Sequence, residues 1–418
     1  MKKYALVILS LLLAVMAGAQ GVREEIASDP WKAAGLHYSY PGPQSVQTKA
    51  PRGYKPFYIS HFGRHGSRWH INPNNYAAPV ATLSKADSAG VLSPLGKEVL
   101  AKAEALAEDG RDRLGELTPL GMQQHSEVAA RMYKNFKSAF KGKAVVTANS
   151  TLSPRVMISM FYFCNTLKGL NPKIKLFVNS SRRDSRFVSN RENTGVPAPY
   201  TVSEEKAKLK AELLKPQRLM GTLFTDEKYV EKNIDQVQLM WQLYYLTVMV
   251  QNCGMESESF LDIFTADELY DCWRVENYDI YLFAAEPWNR DNVSVPSCKP
   301  MISHIIEKAD EALSKGRRGA TLRFSHDSYL VPMAVCLGLE GCTLTSEDPK
   351  DCGSVFADYK ISPMCGNIQI VFFKNRKGSV LVKFLLNENE VTIPLESKTA
   401  PYYPWEEVKA YYKEKYNI

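Results

Sequence analysis

The 418-residue chain carries 52 Lys and Arg against 45 Asp and Glu, a formal net charge of +7 at pH 7, and 45% of its residues are hydrophobic. This length supports a large core, in one large domain with an insertion or in two domains. The modest positive excess fits an anionic ligand, whereas the lack of a basic tract or an RNA-binding aromatic motif argues against nucleic acid as a partner.

The first residues, MKKYALVILSLLLAVMAGAQG, have the layout of a secretory signal peptide. Two lysines precede a short apolar run, and Ala17 and Ala19 form an A-x-A cleavage pattern. The run is short for a bilayer span, which favours cleavage after Ala19 over an uncleaved anchor. We therefore expect residues 1–19 to be removed and the protein to be periplasmic or secreted, without stable insertion in a membrane after cleavage.

The cysteines all follow the predicted signal peptide. They are Cys164, Cys253, Cys272, Cys298, Cys336, Cys342, Cys352 and Cys365. An even number in an exported chain suggests disulfides, although Cys164 and Cys336 stand in apolar runs and equally fit small buried residues. No CxxC pair and no zinc-type spacing of Cys and His occurs, so no metal site is predicted.

The first half of the mature chain alternates strands and helices. KPFYISHF predicts the first strand, and KAVVTANS and KIKLFVNSS (residues 173–181) predict two more. Three helices begin with a hydroxyl N-cap followed by proline, at Ser93-Pro94, Thr118-Pro119 and Ser153-Pro154. This order indicates an α/β layer with the sheet at its centre.

Residues 185–300 differ in composition from the region before them. They are rich in helix formers and aromatic residues and poor in alternating apolar and polar patterns. We interpret this region as an inserted α-helical subdomain. From residue 301 the α/β character returns with the helix ISHIIEKADEALSKG, the strand–turn–helix GATLRFSHDSYLVP and the strand candidates NIQIVFF, SVLVKFLL and EVTIPL. The predicted α/β domain therefore consists of residues 20–184 and 301–418.

The stretch GRHGSR, directly after the first predicted strand, contains several residues that can bind an anion or act in catalysis. Its glycines let the backbone turn tightly, and Arg64 and Arg68 can converge on one anion. His65 lies between them, in a cationic field that lowers its pKa and favours the neutral imidazole. A neutral imidazole can act as a nucleophile.

Two further elements complete the pattern. Arg155 falls in the first turn of a predicted helix, where free backbone N–H groups and the helix dipole favour an anion. His326 and Asp327 stand at a predicted strand-to-helix turn. An acid at such a place can protonate a leaving oxygen and then accept a proton from water.

RHGSR, the SPR that contains Arg155, and the late HD resemble, in this order, the histidine phosphatase superfamily, and specifically its second branch of histidine acid phosphatases, phytases and multiple inositol polyphosphate phosphatases. The likeness extends over most of the mature chain, through LTPLGMQQH, FTADELYDCW and KFLLNENEVTIPL. It implies a phosphoglycerate mutase-like three-layer α/β/α domain with an inserted α-helical subdomain.

The resemblance also implies roles for individual residues. His65 would attack phosphorus and become a phosphohistidine, and Asp327 would protonate the leaving alcohol. The phosphate oxygens would be bound by four side chains, namely Arg64, Arg68, Arg155 and His326. No metal or organic cofactor is implied. The sequence departs from the multiple inositol polyphosphate phosphatases at Asp327-Ser328, where that subgroup typically has Ala-Glu after the histidine.

We therefore predict an exported phosphomonoesterase for small-molecule phosphate esters, with inositol polyphosphates such as phytate favoured over sugar phosphates. An acid pH optimum is expected, because the arginines lower the pKa of Asp327 while a general acid must be protonated. SSRRDSR (residues 180–186) is the candidate for contacts with further phosphates, although a solvated loop is the favoured interpretation. A catalytically weak phosphate-ester binding protein is the alternative, and no oligomeric state is predicted.

Overall fold

The computed structural model describes residues 21–189, 203–284, 294–346 and 348–418. The predicted signal peptide, residues 1–19, lies outside these ranges, as do residues 190–202 and 285–293 of the predicted helical insertion.

An eight-stranded sheet forms the centre of the molecule, in the order β3-β2-β4-β1-β5-β6-β7, with β8 paired to β6. The strands are β1 Lys55–Arg64, β2 Val145–Ser150, β3 Lys175–Asn179, β4 Gly319–Ser325, β5 Asn367–Lys374, β6 Val380–Leu386, β7 Asn389–Val391 and β8 Tyr403–Pro404. Strands β1 to β4 pair in parallel, whereas β5 to β8 pair antiparallel. The candidate EVTIPL is a strand only as far as Val391.

Helices flank this sheet on both faces. The described α-helices are Asn74–Ser88, Pro94–Asp109, Pro119–Asn135, Pro154–Leu170, Ser203–Leu213, Gln217–Leu223, Glu227–Asn233, Gln236–Thr247, Ala266–Ala284, Ser294–Ser314, Asp327–Leu337, Asp358–Ile361 and Trp405–Tyr416. A further helical segment covers residues 21–28.

Alternation along the strands builds two cores. In β1, Tyr58 and Phe62 join the core formed with the helices Ser294–Ser314, Asp327–Leu337 and Trp405–Tyr416, whereas Ile59 points to the opposite core. That second core contains apolar residues of Pro119–Asn135 and Pro154–Leu170. Because successive side chains of a strand point to opposite faces, one sheet serves both helical layers. The predicted three-layer α/β/α architecture is confirmed.

A third apolar cluster holds the helical part together. It contains residues of Asn74–Ser88 and Pro94–Asp109 together with residues of Gln217–Leu223 and Gln236–Thr247. Helices from the predicted insertion thus share a core with two helices that precede it in the chain. Among the described residues, no helix is both long and apolar enough to cross a bilayer.

The predicted helix starts coincide with the structure at all three Pro positions. Ser93 Oγ accepts a hydrogen bond from the Gly96 N–H, and Thr118 Oγ1 accepts one from the Gly121 N–H. Ser153 makes no such side-chain bond, so the first N–H groups of Pro154–Leu170 are not capped by this residue.

The structure does not support the predicted disulfides. None of the eight cysteines, all of which lie in the described ranges, belongs to a disulfide, and all but the half-buried Cys253 are buried. Burial in apolar surroundings raises the pKa of the Cys164 and Cys342 thiols to about 12. The cysteines therefore pack as small apolar side chains, as the alternative interpretation of Cys164 and Cys336 proposes.

Candidate active site

The predicted site residues meet at the carboxyl edge of the parallel strands. His65 follows β1, Thr151 follows β2 and His326 follows β4. A cavity of about 470 Å³ opens there, and its lining includes His65, Arg68, Thr151, Arg155, His326 and Asp327. In α/β sheets, ligands bind in the crevice beyond the carboxyl ends of the strands. Of the six predicted residues, Arg64 alone does not line the cavity; it lies behind Asp327.

Hydrogen bonds define the state of His65. Its Nδ1 lies 2.9 Å from Gly66 O. Because a carbonyl oxygen can only accept, Nδ1 must carry the proton, and Nε2 keeps its lone pair. Burial, followed by the charges of Arg64 and Arg155, lowers the pKa of His65 well below 6.5. The imidazole is thus neutral, as the sequence predicts, although burial is the largest cause.

Two glycines seat the loop that follows His65 on a helix. A Cβ atom on Gly66 would lie 2.5 Å from Gly121 O, and one on Gly121 would lie 2.3 Å from Ser67 O. The Thr118 N–H also donates to Ser67 O over 2.9 Å. The loop therefore packs backbone to backbone on the start of Pro119–Asn135, where no larger residue fits.

Arg64 is completely buried. Its Nη1 donates to the carbonyl oxygens of Leu36 and Ser362, the latter over 2.6 Å. Its Nη2 lies 2.6 Å from Asp327 Oδ2, in an ion pair. These contacts hold the guanidinium rigidly beside the carboxylate.

The arginines retain unused donors. Within the described part of the chain, Arg64 Nε and Nη2, Arg68 Nε and Arg155 Nε are buried without a hydrogen-bond acceptor of good geometry. A buried unsatisfied donor costs about 1 to 3 kcal/mol, and native proteins keep few of them. Donors clustered around one cavity are explained by an anion that supplies the acceptors when it binds.

The remaining polar groups tie the site together. Arg68 Nη1 donates to Trp69 O over 2.9 Å, and its Nη2 lies 3.2 Å from His37 Nε2. Arg155 Nη2 lies 3.5 Å from His326 Nδ1. Burial lowers the pKa of Arg155 to about 10, which still leaves it charged at neutral pH. Arg155 therefore presents positive charge to the cavity.

Asp327 is ionised in the free site. Burial raises its pKa, but the charges of Arg64, His326 and Arg68 outweigh burial and lower the pKa to about 2. The Ser328 N–H also donates to Asp327 Oδ1 over 2.6 Å, which favours the charged form. A proton on this carboxyl group requires that the cationic field be offset.

One group of residues beside the site was not anticipated from the sequence. Ser67 Oγ donates to Asn252 Oδ1 over 2.6 Å, the Ser67 N–H donates to Gln124 Oε1 over 2.9 Å, and Asn252 Nδ2 donates to His37 O over 2.7 Å. This network connects the loop after β1 to the helical part of the chain. The only local signal in the sequence is that Gln251 and Asn252 directly follow the apolar run that ends at Val250, and the structure buries Asn252 completely.

Two further histidines and most of residues 180–186 lie away from the cavity. His125 is buried beside Phe324, with ring centroids 5.8 Å apart, and His304 stacks on Phe187 at 3.9 Å. In residues 180–186, Ser185 reaches the cavity lining, while Arg182 and Arg183 are exposed and do not line it.

A sequence profile of the histidine phosphatase superfamily (branch 2) matches residues 64–387. The chain belongs to this family. The family assignment makes it a phosphomonoester hydrolase. The matched range begins at Arg64 and includes every residue of the predicted site.

Solved structures with the same fold are phosphatases of inositol phosphates. The Bifidobacterium longum multiple inositol polyphosphate phosphatase, in complex with inositol hexasulfate, has a TM-score of 0.76 and 17% identity, over 92% of this chain and 98% of its own. The D. castellii phytase has a TM-score of 0.67 and 16% identity, over 92% and 84%. The Hafnia alvei phytase, in complex with myo-inositol hexakis sulphate, has a TM-score of 0.51 and 13% identity, over 87% and 98%. A search of curated protein sequences finds no match.

Proposed function

We propose that this phosphatase hydrolyses inositol polyphosphates such as phytate through a phosphohistidine at His65. One observation carries the proposal: Arg68 and Arg155, each with a buried Nε that lacks an acceptor among the described residues, line a cavity that also contains the neutral His65, and Arg64 lies behind the cavity-lining Asp327. A phosphate dianion supplies acceptors for these donors and stands within reach of a nucleophilic nitrogen.

The first step transfers the phosphoryl group to the protein. His65 Nε2 forms a bond to phosphorus while the bond to the ester oxygen breaks, and Asp327 delivers a proton to the leaving alcohol. Arg64, Arg68, Arg155 and His326 bind the other phosphate oxygens and neutralise charge there. The hydrogen bond from Nδ1 to Gly66 O holds the ring while its positive charge develops.

The second step returns the histidine to its starting state. Water attacks phosphorus, the bond to Nε2 breaks, and Asp327, now a carboxylate, accepts the proton of the water. Since the same carboxyl group is acid first and base second, each turnover restores its protonation.

The low pKa of Asp327 sets the pH dependence. In the free site this carboxyl group has a pKa of about 2, and the acid form is needed for the first step. A bound phosphate dianion offsets the arginines and raises that pKa, so protonation is coupled to substrate binding. We expect the rate to fall as the pH rises through neutrality, and a rate that climbs steadily above neutral pH would contradict this role.

Phytate is proposed as the substrate because the Bifidobacterium longum and Hafnia alvei enzymes, which share the fold, are described in complex with sulfate analogues of inositol hexakisphosphate. The exposed Arg182 and Arg183, next to the cavity-lining Ser185, are candidates for contacts with additional phosphates. Sugar phosphates are the second candidate substrates. We further propose that the protein is exported after removal of residues 1–19, and that residues 185–300 form the subdomain that determines specificity.

The experiment is phosphate release from phytate and from an aryl phosphate, by wild type, His65→Ala and Asp327→Asn. His65→Ala should lose at least about 10⁴-fold in rate on both substrates, because no other nucleophile replaces the imidazole. Asp327→Asn should lose about 10²- to 10⁴-fold on phytate and far less on the aryl ester, whose leaving group needs little protonation.

His304→Ala is the matched control, since this buried histidine lies outside the cavity lining. An active His65→Ala protein would refute the phosphohistidine. Binding of phytate without any turnover by the wild type would instead favour the phosphate-ester binding protein.

A further inference from the structure

The edge of the sheet opposite the catalytic edge carries a dense cluster of positive charge. Four chain segments meet there, residues 49–56, 137–144, 315–319 and 374–378. They contain twelve cations and no Asp or Glu: Lys49, Arg52, Lys55, Lys137, Lys141, Lys143, Lys315, Arg317, Arg318, Lys374, Arg376 and Lys377. We call this surface the basic edge.

The topology of the sheet assembles the basic edge. Strands β1 and β4 begin at Lys55 and Gly319, and the antiparallel β5 ends at Lys374. Arg318 Nη1 donates to Ser138 O over 3.4 Å, and the Val145 N–H donates to Arg318 O over 2.8 Å. Segments far apart in sequence are thereby joined into one surface.

These charges are mostly not neutralised within the protein. Eleven of the twelve side chains are exposed, and Lys374 is half-buried. Glu311 lies 2.7 Å from Lys315 and 3.9 Å from Arg317. The other ten have no carboxylate within 4.0 Å among the described residues. Without the twelve, the formal net charge would change from +7 to −5.

Part of the basic edge is concave. A cavity of about 710 Å³ is lined by six of the cations, Arg52, Lys55, Arg318, Lys374, Arg376 and Lys377. Like charges that line one cleft repel each other and focus a positive potential, which attracts an anion with several charges. These six cations come from three of the four segments and surround such an anion from several sides.

The basic edge is remote from the catalytic cavity. Strand β1 connects them and has ten residues, so the two ends lie about 30 Å apart at about 3.3 Å per residue. One small substrate cannot touch both. A ligand of the basic edge is therefore separate from the molecule that is being hydrolysed.

We propose that the basic edge is a second, non-catalytic binding site for clustered phosphate or sulfate groups. Such groups belong either to a compact soluble polyanion or to the head groups of anionic lipids. The concave cation-lined cleft supports this chemistry, because several closely spaced anionic groups can each meet a guanidinium or ammonium group there. This proposal does not depend on which ester is the substrate.

The test compares two double charge reversals with equal change of net charge. Arg376→Glu/Lys377→Glu alters the turn between β5 and β6, whose hydrogen bonds are made by Asn375, Gly378 and Ser379. Lys228→Glu/Lys232→Glu is the control, on exposed positions of a distant helix. Unchanged circular dichroism and thermal midpoint confirm that both variants fold.

Titration calorimetry with myo-inositol hexakissulfate, which is not hydrolysed, should find two binding events in the wild type at low salt. The reversal at Arg376 and Lys377 should weaken one event at least about tenfold, while the control leaves both unchanged. Added salt should weaken that event more than the other, because exposed charges are screened more strongly than buried ones.

Sedimentation with phosphatidylglycerol vesicles, against phosphatidylcholine vesicles, distinguishes the two sources of phosphate. Loss of either soluble-anion or phosphatidylglycerol binding in the Arg376/Lys377 variant alone supports the proposal and names the source. Equal loss in both variants, no effect of the basic-edge reversal on either probe, or binding of duplex DNA alone would overturn it.

Discussion

The two ends of the parallel strands in the central sheet present positive charge in opposite ways. At the carboxyl edge, Arg64 and Arg68 are 0% and 7% exposed, are held by backbone carbonyl groups and keep unsatisfied donors. At the basic edge, the cations are exposed and water solvates them. Burial and fixed geometry therefore distinguish the arginines of the candidate active site from the exposed cations of the basic edge.

The difference follows from solvation. A buried guanidinium loses its water and is stabilised only by a carboxylate or a carbonyl in the right position, as Asp327 and Ser362 are for Arg64. Such a site accepts an anion of one shape. An exposed cation keeps most of its hydration, and a single ion pair with it contributes little free energy. A surface such as the basic edge therefore attracts many anions through the sum of its charges.

Acidification should have the largest effect, because the folded protein keeps histidines buried and neutral both beside the candidate site and elsewhere in its core. Six histidines have pKa values lowered from 6.5 chiefly by burial: His37, His61, His65, His70, His125 and His304. Below pH 6.5 the unfolded chain binds more protons at these residues than the folded chain does. The free energy of unfolding should therefore fall with decreasing pH, by up to about 1.4 kcal/mol per pH unit for each histidine.

Urea unfolding between about pH 7 and pH 4 measures this loss. The fully buried Asp358 acts in the opposite direction, since burial raises its pKa from 3.8 to about 6 and its contribution to stability decreases as the pH rises through that interval. One carboxyl group cannot offset six imidazoles. A protein as stable at pH 4 as at pH 7 would show that these histidines become protonated without unfolding.

Removal of one half-buried cation of the candidate site should cost most of the activity. Arg155→Ala removes the guanidinium whose Nε is buried without an acceptor, and the rate of phosphate release should fall about 10²- to 10³-fold. Arg155→Lys restores the charge without the fork of donors and should recover only part of that loss. Arg111→Ala, at an exposed position outside the cavity lining, is the control. If the lysine variant had full activity, charge rather than geometry would be the requirement at this position.

Ser67→Ala should weaken the hydrogen-bond network that connects the loop after β1 to the helical part of the chain. It leaves Asn252 Oδ1 without its 2.6 Å partner in a fully buried position, at a cost of about 1 to 3 kcal/mol of unfolding free energy. Ser84→Ala is the matched control, because that hydroxyl only donates to Val80 O within its own helix. Denaturant unfolding of the two variants gives the difference, and equal values would mean that the network does not stabilise the loop.

The smallest effect is expected at the basic edge. Arg376→Glu/Lys377→Glu relieves repulsion between exposed like charges and should raise the free energy of unfolding by no more than about 0.5 kcal/mol. The gain should disappear at about 1 M salt, where screening removes the repulsion. A large loss of stability, measured by the same denaturant unfolding, would mean that these side chains support the fold.

Local patterns in the sequence predicted the α/β layer and five of the residues that line the candidate active-site cavity. Hydroxyl–proline pairs mark helix starts at Pro94, Pro119 and Pro154 because capping involves only neighbouring residues. His65 and His326 each stand directly after a strand, and parallel strands end at one edge of a sheet, so their meeting follows from the order of elements.

Only the tertiary structure decided the rest. Three features join segments that are separated by tens to hundreds of residues. They are the hydrogen bonds from Arg64 to Leu36 O and Ser362 O, the hydrogen bond from Ser67 to Asn252, and the assembly of the basic edge. Periodicity and capping show which face or end of its own element a residue occupies, but they do not show which distant residue it contacts. The cysteines illustrate the same limit, because their number suggests pairing, whereas their burial as separate thiols depends on the packing of several distant elements.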